Sequence, residues 1–304
     1  MRTTALLIGG TGFAGSHLQR LLAPDYNVIA TGHDADITNR TCMTDLLKRT
    51  APAFVVNLAS VTTVKESFAD PYRTYQVGFL GMLNVLLALR ENNFKGRMLN
   101  ISSSEVYGFP SDLELPLKES ARTQPMSPYS VSKAACEALC YQWAHTEGFE
   151  IVTARPFTHI GPGQSDKFAI SSFAKQIAEI LLKRREPVIH VGDLRAARDL
   201  TDVRDVVAAY KALMEKGLNA EPYNICSGVE VGMQQVVEEM IRLAGIPIVI
   251  REDERLLRKA EPRRTRGSFA KLNEQTGWQP TISLSRTLQE TVLHWKTRLE
   301  RESH

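Results

Sequence analysis

Four cysteines are few for 304 residues, and Cys42, Cys136, Cys140 and Cys226 show neither zinc nor redox spacing. Cys136 and Cys140 stand one helical turn apart, yet no further His or Cys is spaced to complete a site, so buried reduced thiols and no metal are expected. Long apolar runs are missing too. None approaches the ~20 residues of a membrane helix, and the N-terminal strand has no basic leader or cleavage site beside it. Nor does one charge dominate: 37 Lys and Arg against 34 Asp and Glu leave a net +3, too weak to draw the whole surface to nucleic acid or a membrane. With no repeat or low-complexity segment, and 43% hydrophobic residues to build a core, a soluble, cytoplasmic protein is expected, longer than one average domain.

What is present is an alternation. Strand-like runs at 5–8, 27–31, 54–58, 96–101 and 151–155 are separated by helical patterns at 44–49, 81–92 and 130–145, with apolar residues every three or four positions. This predicts an α/β fold, a doubly wound parallel sheet covered by helices on both faces. Beyond Pro156 the rhythm loosens into a glycine turn at 161–164, a helix at 168–183, a short strand at 188–191 and a helix at 203–216. Pro222-Tyr223-Asn224-Ile225-Cys226 reads as a late strand returning to the main sheet. A helix at 233–243, a strand at 246–250, an arginine-rich loop and a final helix at 284–299 complete the chain. Residues 1–164, rejoined by 195–227, are expected to form the main domain, and 165–194 with 228–304 a smaller, interleaved α/β domain.

Three motifs carry the chemistry. The first strand runs into Gly9-Gly10-Thr11-Gly12-Phe13-Ala14-Gly15 and then a helix, the context in which glycines let backbone amides approach a pyrophosphate at a helix N-terminus. Asn100-Ile101-Ser102-Ser103-Ser104-Glu105-Val106-Tyr107-Gly108 places hydroxyls at the carboxyl end of a strand, where ligands of open parallel sheets bind. Ser127-Pro128-Tyr129-Ser130-Val131-Ser132-Lys133 sets Tyr129 and Lys133 on one helix face. A free tyrosine titrates near ~10, and an adjacent ammonium is expected to favour its ionised form. Together they suit a carbonyl oxygen that Ser103 holds while Tyr129 protonates it.

With these motifs in this order the chain resembles, over essentially its whole length, the extended short-chain dehydrogenase/reductase family, enzymes acting on nucleotide sugars. The resemblance implies a Rossmann-type NAD(P)-binding domain and a nucleotide-sugar domain. Gly9, Thr11, Gly12, Phe13 and Gly15 would hold the dinucleotide, with Asp36 and Ile37 at the adenine, Leu58, Ala59 and Ser60 lining it, and Tyr129 and Lys133 reaching its ribose. The second strand ends Thr31-Gly32-His33-Asp34, without a clean acid for a ribose 2′-hydroxyl or an arginine for a 2′-phosphate. NADP(H) and NAD(H) are both open, and His33 tilts the choice toward NADP(H).

The segments 154–164 and 198–205, and the arginine loop 255–267, are most similar to reductases of GDP-4-keto-6-deoxy-D-mannose, which yield GDP-D-rhamnose. This implies that Ser103 and Tyr129 grip the C4 oxygen, that Ser104, Glu105, Thr158 and Arg255 contact the substrate, and that Arg198 and Arg258 meet the diphosphate; guanidinium forks match phosphate oxygens. Most of the other loop arginines are expected at the surface. Thr158 replaces a usual Asn, and Gly78 and Met82 stand where relatives carry Asn and Thr. Glu105 keeps a rival open, because related dehydratases such as GDP-mannose 4,6-dehydratase use a glutamate two residues after the catalytic hydroxyl as a base. An epimerase and a non-catalytic dinucleotide sensor are more distant alternatives. A homodimer is expected through the helices around 81–89 and 130–145.

Overall fold

The computed structural model describes residues 2–61, 63–256 and 263–302. The apolar N-terminal run forms strand β1 (Thr4–Ile8), and after the glycine turn helix α1 (Phe13–Leu22) buries Leu18 and Leu22. Strand and helix alternate through β2 (Asn27–Ala30), α2 (Arg40–Thr50) and β3 (Phe54–Asn57). Two short helices, α3 (Val64–Ala69) and α4 (Pro71–Tyr75), are capped by the Thr63 and Asp70 side chains and lead through a π-helical turn, Gln76–Leu80, into α5 (Gly81–Glu91). Then come β4 (Arg97–Ile101), the long α6 (Pro128–Thr146) and β5 (Glu150–Pro156). Ser127 caps α6 and Pro128 occupies its first turn, where a fixed φ favours the helix and no N–H is missed.

Next the chain leaves the sheet to form β6 (Thr158–Ile160), α7 (Ala169–Leu181), β7 (Val188–Val191), β8 (Ala197–Asp202) and α8 (Val203–Lys216). As expected, it comes back: β9 (Pro222–Ile225) pairs with β5 in the all-parallel order β2-β1-β3-β4-β5-β9. The last elements are β10 (Glu230–Gly232), α9 (Met233–Ala244), β11 (Val249–Glu252), α10 (Ala270–Thr276) and α11 (Leu284–Arg301). Here β8 sits between β10 and β6, while β11 pairs with β7. The strand expected at 246–250 begins at Val249, whose register with Val188 sets its start.

Side-chain alternation along the strands builds two cores. Leu7, Val56, Leu99 and Val152 pack on one face with Val206, Tyr210 and Leu213 of α8. Their neighbours Leu6, Val55, Met98 and Ile151 face the other way, onto α2, α5 and α6. A third core gathers Ile177, Val237, Leu288 and Trp295 from α7, α9 and α11. Two buried aspartates fasten it to the first half. Asp202 accepts from Arg204 and from the Thr287 hydroxyl of α11, and Asp205 accepts from the Thr281 amide and hydroxyl and the Ile282 amide.

Candidate active site

With β2 on one side of β1 and β3 on the other, the strand order reverses at β1, and the crevice beyond the carboxyl ends there is where open sheets bind ligands. Gly9 lines it with φ +74°, and a Cβ would lie 2.7 Å from the Ala59 amide. At Gly15 a Cβ would stand 2.2 Å from the Gly10 carbonyl oxygen. Gly12 is different: its φ of −72° suits any residue, and a Cβ would meet only the Gly9 carbonyl oxygen at 3.5 Å. The fold alone does not require glycine there. Gly12 and Thr11 are exposed, and Gly12, the residue before α1, offers its amides no side-chain cap.

Around this turn, Leu58 donates to the Ile8 carbonyl at 2.8 Å and Ala59 to the Asn57 side chain at 3.2 Å, while the Ser60 hydroxyl turns to its neighbour Val61. The Phe13 ring stacks on His159, with centroids 5.9 Å apart. Beyond β2, His33 is exposed and Asp34 accepts from the Gly32 amide at 2.6 Å. Thr38 donates its amide and hydroxyl to Asp36, holding that carboxyl below its usual range, and Ile37 is buried against Gly81.

At the end of β4 Ser103 is buried, accepts from the Glu105 amide at 3.2 Å and shares a hydrogen bond with the Tyr129 phenol. The Lys133 ammonium donates to the Ile101 carbonyl at 2.7 Å and lies 5.7 Å from the centre of the Tyr129 ring. The cluster forms as expected, but the phenol behaves otherwise. Burial pushes it up to about 12; the Ser103 hydrogen bond opposes this and the Glu105 carboxylate adds to it. Burial also lowers Lys133, against Cys136 and Glu137. An ammonium committed to a backbone carbonyl does not offset the loss of water around a phenolate. Tyr129 therefore holds its proton at neutral pH.

Behind the cluster lies a polar network that the motifs do not reveal. Glu137, one turn beyond Lys133, accepts from the Ser102 hydroxyl and from Arg155 Nε at 2.9 Å and Nη2 at 2.5 Å. Arg155 Nη1 donates to the Tyr107 hydroxyl at 2.9 Å, which donates to Asn224 on β9 at 2.7 Å. Burial works against the Arg155 charge, and Glu137 overrides it to hold the guanidinium above its usual value. The sequence signals were the four-residue step from Lys133 and an arginine ending an apolar strand.

On the substrate side, Ser104 and Glu105 open a short 3-10 turn, Ser104–Tyr107, and Thr158 is exposed at the start of β6. Arg198 is half-buried on β8, with Nη1 at 2.9 Å from its neighbour's carbonyl. Next to it, buried Asp199 accepts from the amides of Ser227, Gly228 and Gly267, so the segment after the arginine loop is pinned near β9. Arg255 folds onto Asp253 and its side chain is 87% exposed, so it lies apart from these groups; Arg258 falls outside the described residues. Two other loop arginines are partly buried. Arg264 is held by Glu230 and Asp112, and the Nε–H of half-buried Arg266 has no acceptor among the described residues.

The departures at 78 and 82 have local reasons. A Cβ on Gly78 would stand 2.0 Å from the Ser132 hydroxyl, and the Gly78 carbonyl accepts from the Cys136 thiol, so its main chain contacts α6. Met82 fills the core and its sulfur meets the Asn57 amide. Among the described residues no three His, Cys, Asp or Glu side chains gather to hold a metal, and no helix is long and apolar enough to cross a membrane.

Residues 30–291 match the family model described as GDP-mannose 4,6 dehydratase. The chain belongs to this family. As a member of the GDP-mannose 4,6-dehydratase family it is an extended short-chain dehydrogenase/reductase, and its parallel sheet is Rossmann-like. It is 40% identical to GDP-6-deoxy-D-mannose reductase of Pseudomonas aeruginosa, over 99% of this chain and 100% of that one. GDP-6-deoxy-D-talose 4-dehydrogenase of Aggregatibacter actinomycetemcomitans is 27% identical, with 97% of each covered. The structure of RMD from Pseudomonas aeruginosa complexed with NADPH superposes with a TM-score of 0.91 at 40% identity, covering 97% of this chain and 100% of that one.

Proposed function

We propose that the chain is an NAD(P)H-dependent oxidoreductase that reduces GDP-4-keto-6-deoxy-D-mannose to GDP-D-rhamnose, preferring NADP(H) and accepting NAD(H). The observation that carries this is the Ser103, Tyr129 and Lys133 cluster beyond the sheet, in a chain 40% identical along its length to a GDP-6-deoxy-D-mannose reductase. The residues fit a dinucleotide. An exposed Gly12 that the backbone does not need, at the uncapped start of α1, leaves room for a pyrophosphate to approach the helix amides. Leu58, Ala59 and Ser60, with Asp36 and Ile37, would flank the adenosine half.

A bound nicotinamide supplies the hydride that the sugar's C4 gains. Tyr129 donates the phenolic proton to the C4 oxygen, so hydride and proton together turn the carbonyl into a hydroxyl. Ser103 holds that oxygen. Lys133, anchored at Ile101, lies beside the Tyr129 ring and would offer its remaining N–H groups to the ribose of a bound dinucleotide. A phenol pushed up to about 12 suits this direction, because reduction starts from the acid. Arg198, with Arg258 and Arg266, would take the diphosphate.

One observation favours a second reading: Glu105 stands close enough to raise the Tyr129 phenol, where a dehydratase would place its base. Incubation with GDP-mannose and, separately, GDP-4-keto-6-deoxy-D-mannose plus NADPH or NADH decides between them. Reduced cofactor consumed only with the keto sugar supports the reductase; conversion of GDP-mannose without net consumption overturns it. Tyr129→Phe should cost roughly a thousandfold in turnover while cofactor still binds. We also infer a cytoplasmic homodimer. Exposed Phe68, Tyr72, Leu80, Val131 and Tyr141 lie on α3, α4, the π-helical turn and α6, and support a self-contact there and along α5, whose Leu83 and Leu87 are only partly buried.

A further inference from the structure

We infer that Glu137 is a positioning residue for this reaction: with Arg155 it fixes the end of β4, so that the Ser103 hydroxyl meets the Tyr129 phenol and the Ile101 carbonyl meets Lys133. The inference rests on the reductase reading. Tyr129, Lys133 and Glu137 are spaced four apart on α6 and so share a face. The Glu137 carboxylate receives the Ser102 hydroxyl, and Ser102 sits between Ile101, which accepts from Lys133, and Ser103, which bonds to Tyr129. One hydrogen bond at Ser102 therefore constrains both neighbours. Arg155 supplies the opposing anchor, since it grips Glu137 and also reaches the Tyr107 hydroxyl and the Glu119 carbonyl at 3.1 Å.

Stability does not account for the pair by itself. Side chains of Arg155 and Glu137 are only 8% and 13% exposed, and a buried ion pair is often no better for stability than apolar side chains of the same volume. A glutamine at 137 would offer one acceptor oxygen to three donors and turn an amide N–H toward one of them. The donor that loses its partner is then Ser102 or Arg155, and the end of β4 is released. The ionisable groups around Lys133 and Tyr129 are Cys136 and Glu137 on α6, Glu105 on the 3-10 turn, Tyr210 on α8 and, behind Glu137, Arg155 on β5. Loss of the Glu137 charge removes a group that holds the Lys133 proton and leaves Arg155 uncompensated. Both changes favour earlier deprotonation of Lys133.

The test compares wild type, Glu137→Gln, Glu137→Asp and Ser102→Ala for kcat, KM and their pH profiles, with NADPH binding followed by fluorescence. Expected for Glu137→Gln are a kcat lower by about 10- to 100-fold, KM within about threefold, and an alkaline limb moved to lower pH, with Glu137→Asp recovering part of kcat. A folded Glu137→Gln with wild-type kcat and an unmoved limb overturns the inference. Should Glu137→Gln not fold, Ser102→Ala decides, because it removes one arm and strands no charge: a several-fold loss of kcat at constant KM supports positioning, and wild-type kcat overturns it. If the wild type itself reduces no keto sugar, the reductase reading falls. Crystal structures of wild type and Ser102→Ala then decide positioning, and a Ser103 side chain unmoved from Tyr129 sinks it.

Discussion

Gly9 and Gly12 are the same residue type in one turn, but they answer to different demands. Alanine at 9 would force a Cβ into the Ala59 amide at a positive φ, so Gly9→Ala should yield little folded protein. Alanine at 12 has an ordinary φ and ordinary contact; Gly12→Ala should keep a wild-type melting temperature and lose about tenfold or more in NADPH affinity. Calorimetric titration beside thermal melting checks both, and unchanged affinity in Gly12→Ala would mean that nothing approaches that turn closely. At Tyr129 the raised phenol sets a sign for pH. Reductive kcat should stay level across neutral pH, because the acid keeps its proton, while the oxidative direction should climb as pH rises. A reductive profile already halved at about pH 8 would contradict the assignment. The Tyr129 and Lys133 pairing was legible from spacing. The direction of the phenol's shift was not, since it depends on burial that only the packed sheet and helices create.

Elements read best where apolar periodicity is strong, as in β1, α5, α6 and α8, whose bounds differ from expectation by two residues or fewer. Strands β6 and β10 escaped notice because each spans three residues, and β8 because it is polar, with Asp199 bound to amides at 227, 228 and 267. The helices α3 and α4 are too short for a period to show. A polar connection also predicts how the C-terminal elements hold on. Asp205→Ala would strip three donors at Thr281 and Ile282 of their acceptor, a loss of about 3 kcal/mol. Denaturant unfolding measures it, and faster amide exchange in α11 than in β4 should locate it.

For the whole molecule, the expectation concerns self-association. Light scattering at micromolar concentration should give twice the chain mass, and glutamates at Tyr72 and Tyr141, exposed by 78% and 58%, should halve it without changing the melting curve at low concentration. A wild type of single-chain mass would remove the homodimer. The late return of β9 was readable because Pro222 to Cys226 is a brief apolar run among helices; the pairing of β10 and β6 around β8 was not, for it depends on which edges the intervening chain leaves open. That return also sets a timetable for biosynthesis. Because β9 covers the outer side of β5, a nascent chain stalled before Pro222 leaves the seven residues of β5 as an open edge of the sheet. Once Ile225 has emerged, the open edge passes to β9, four residues long and headed by a proline, a shorter template for neighbouring chains.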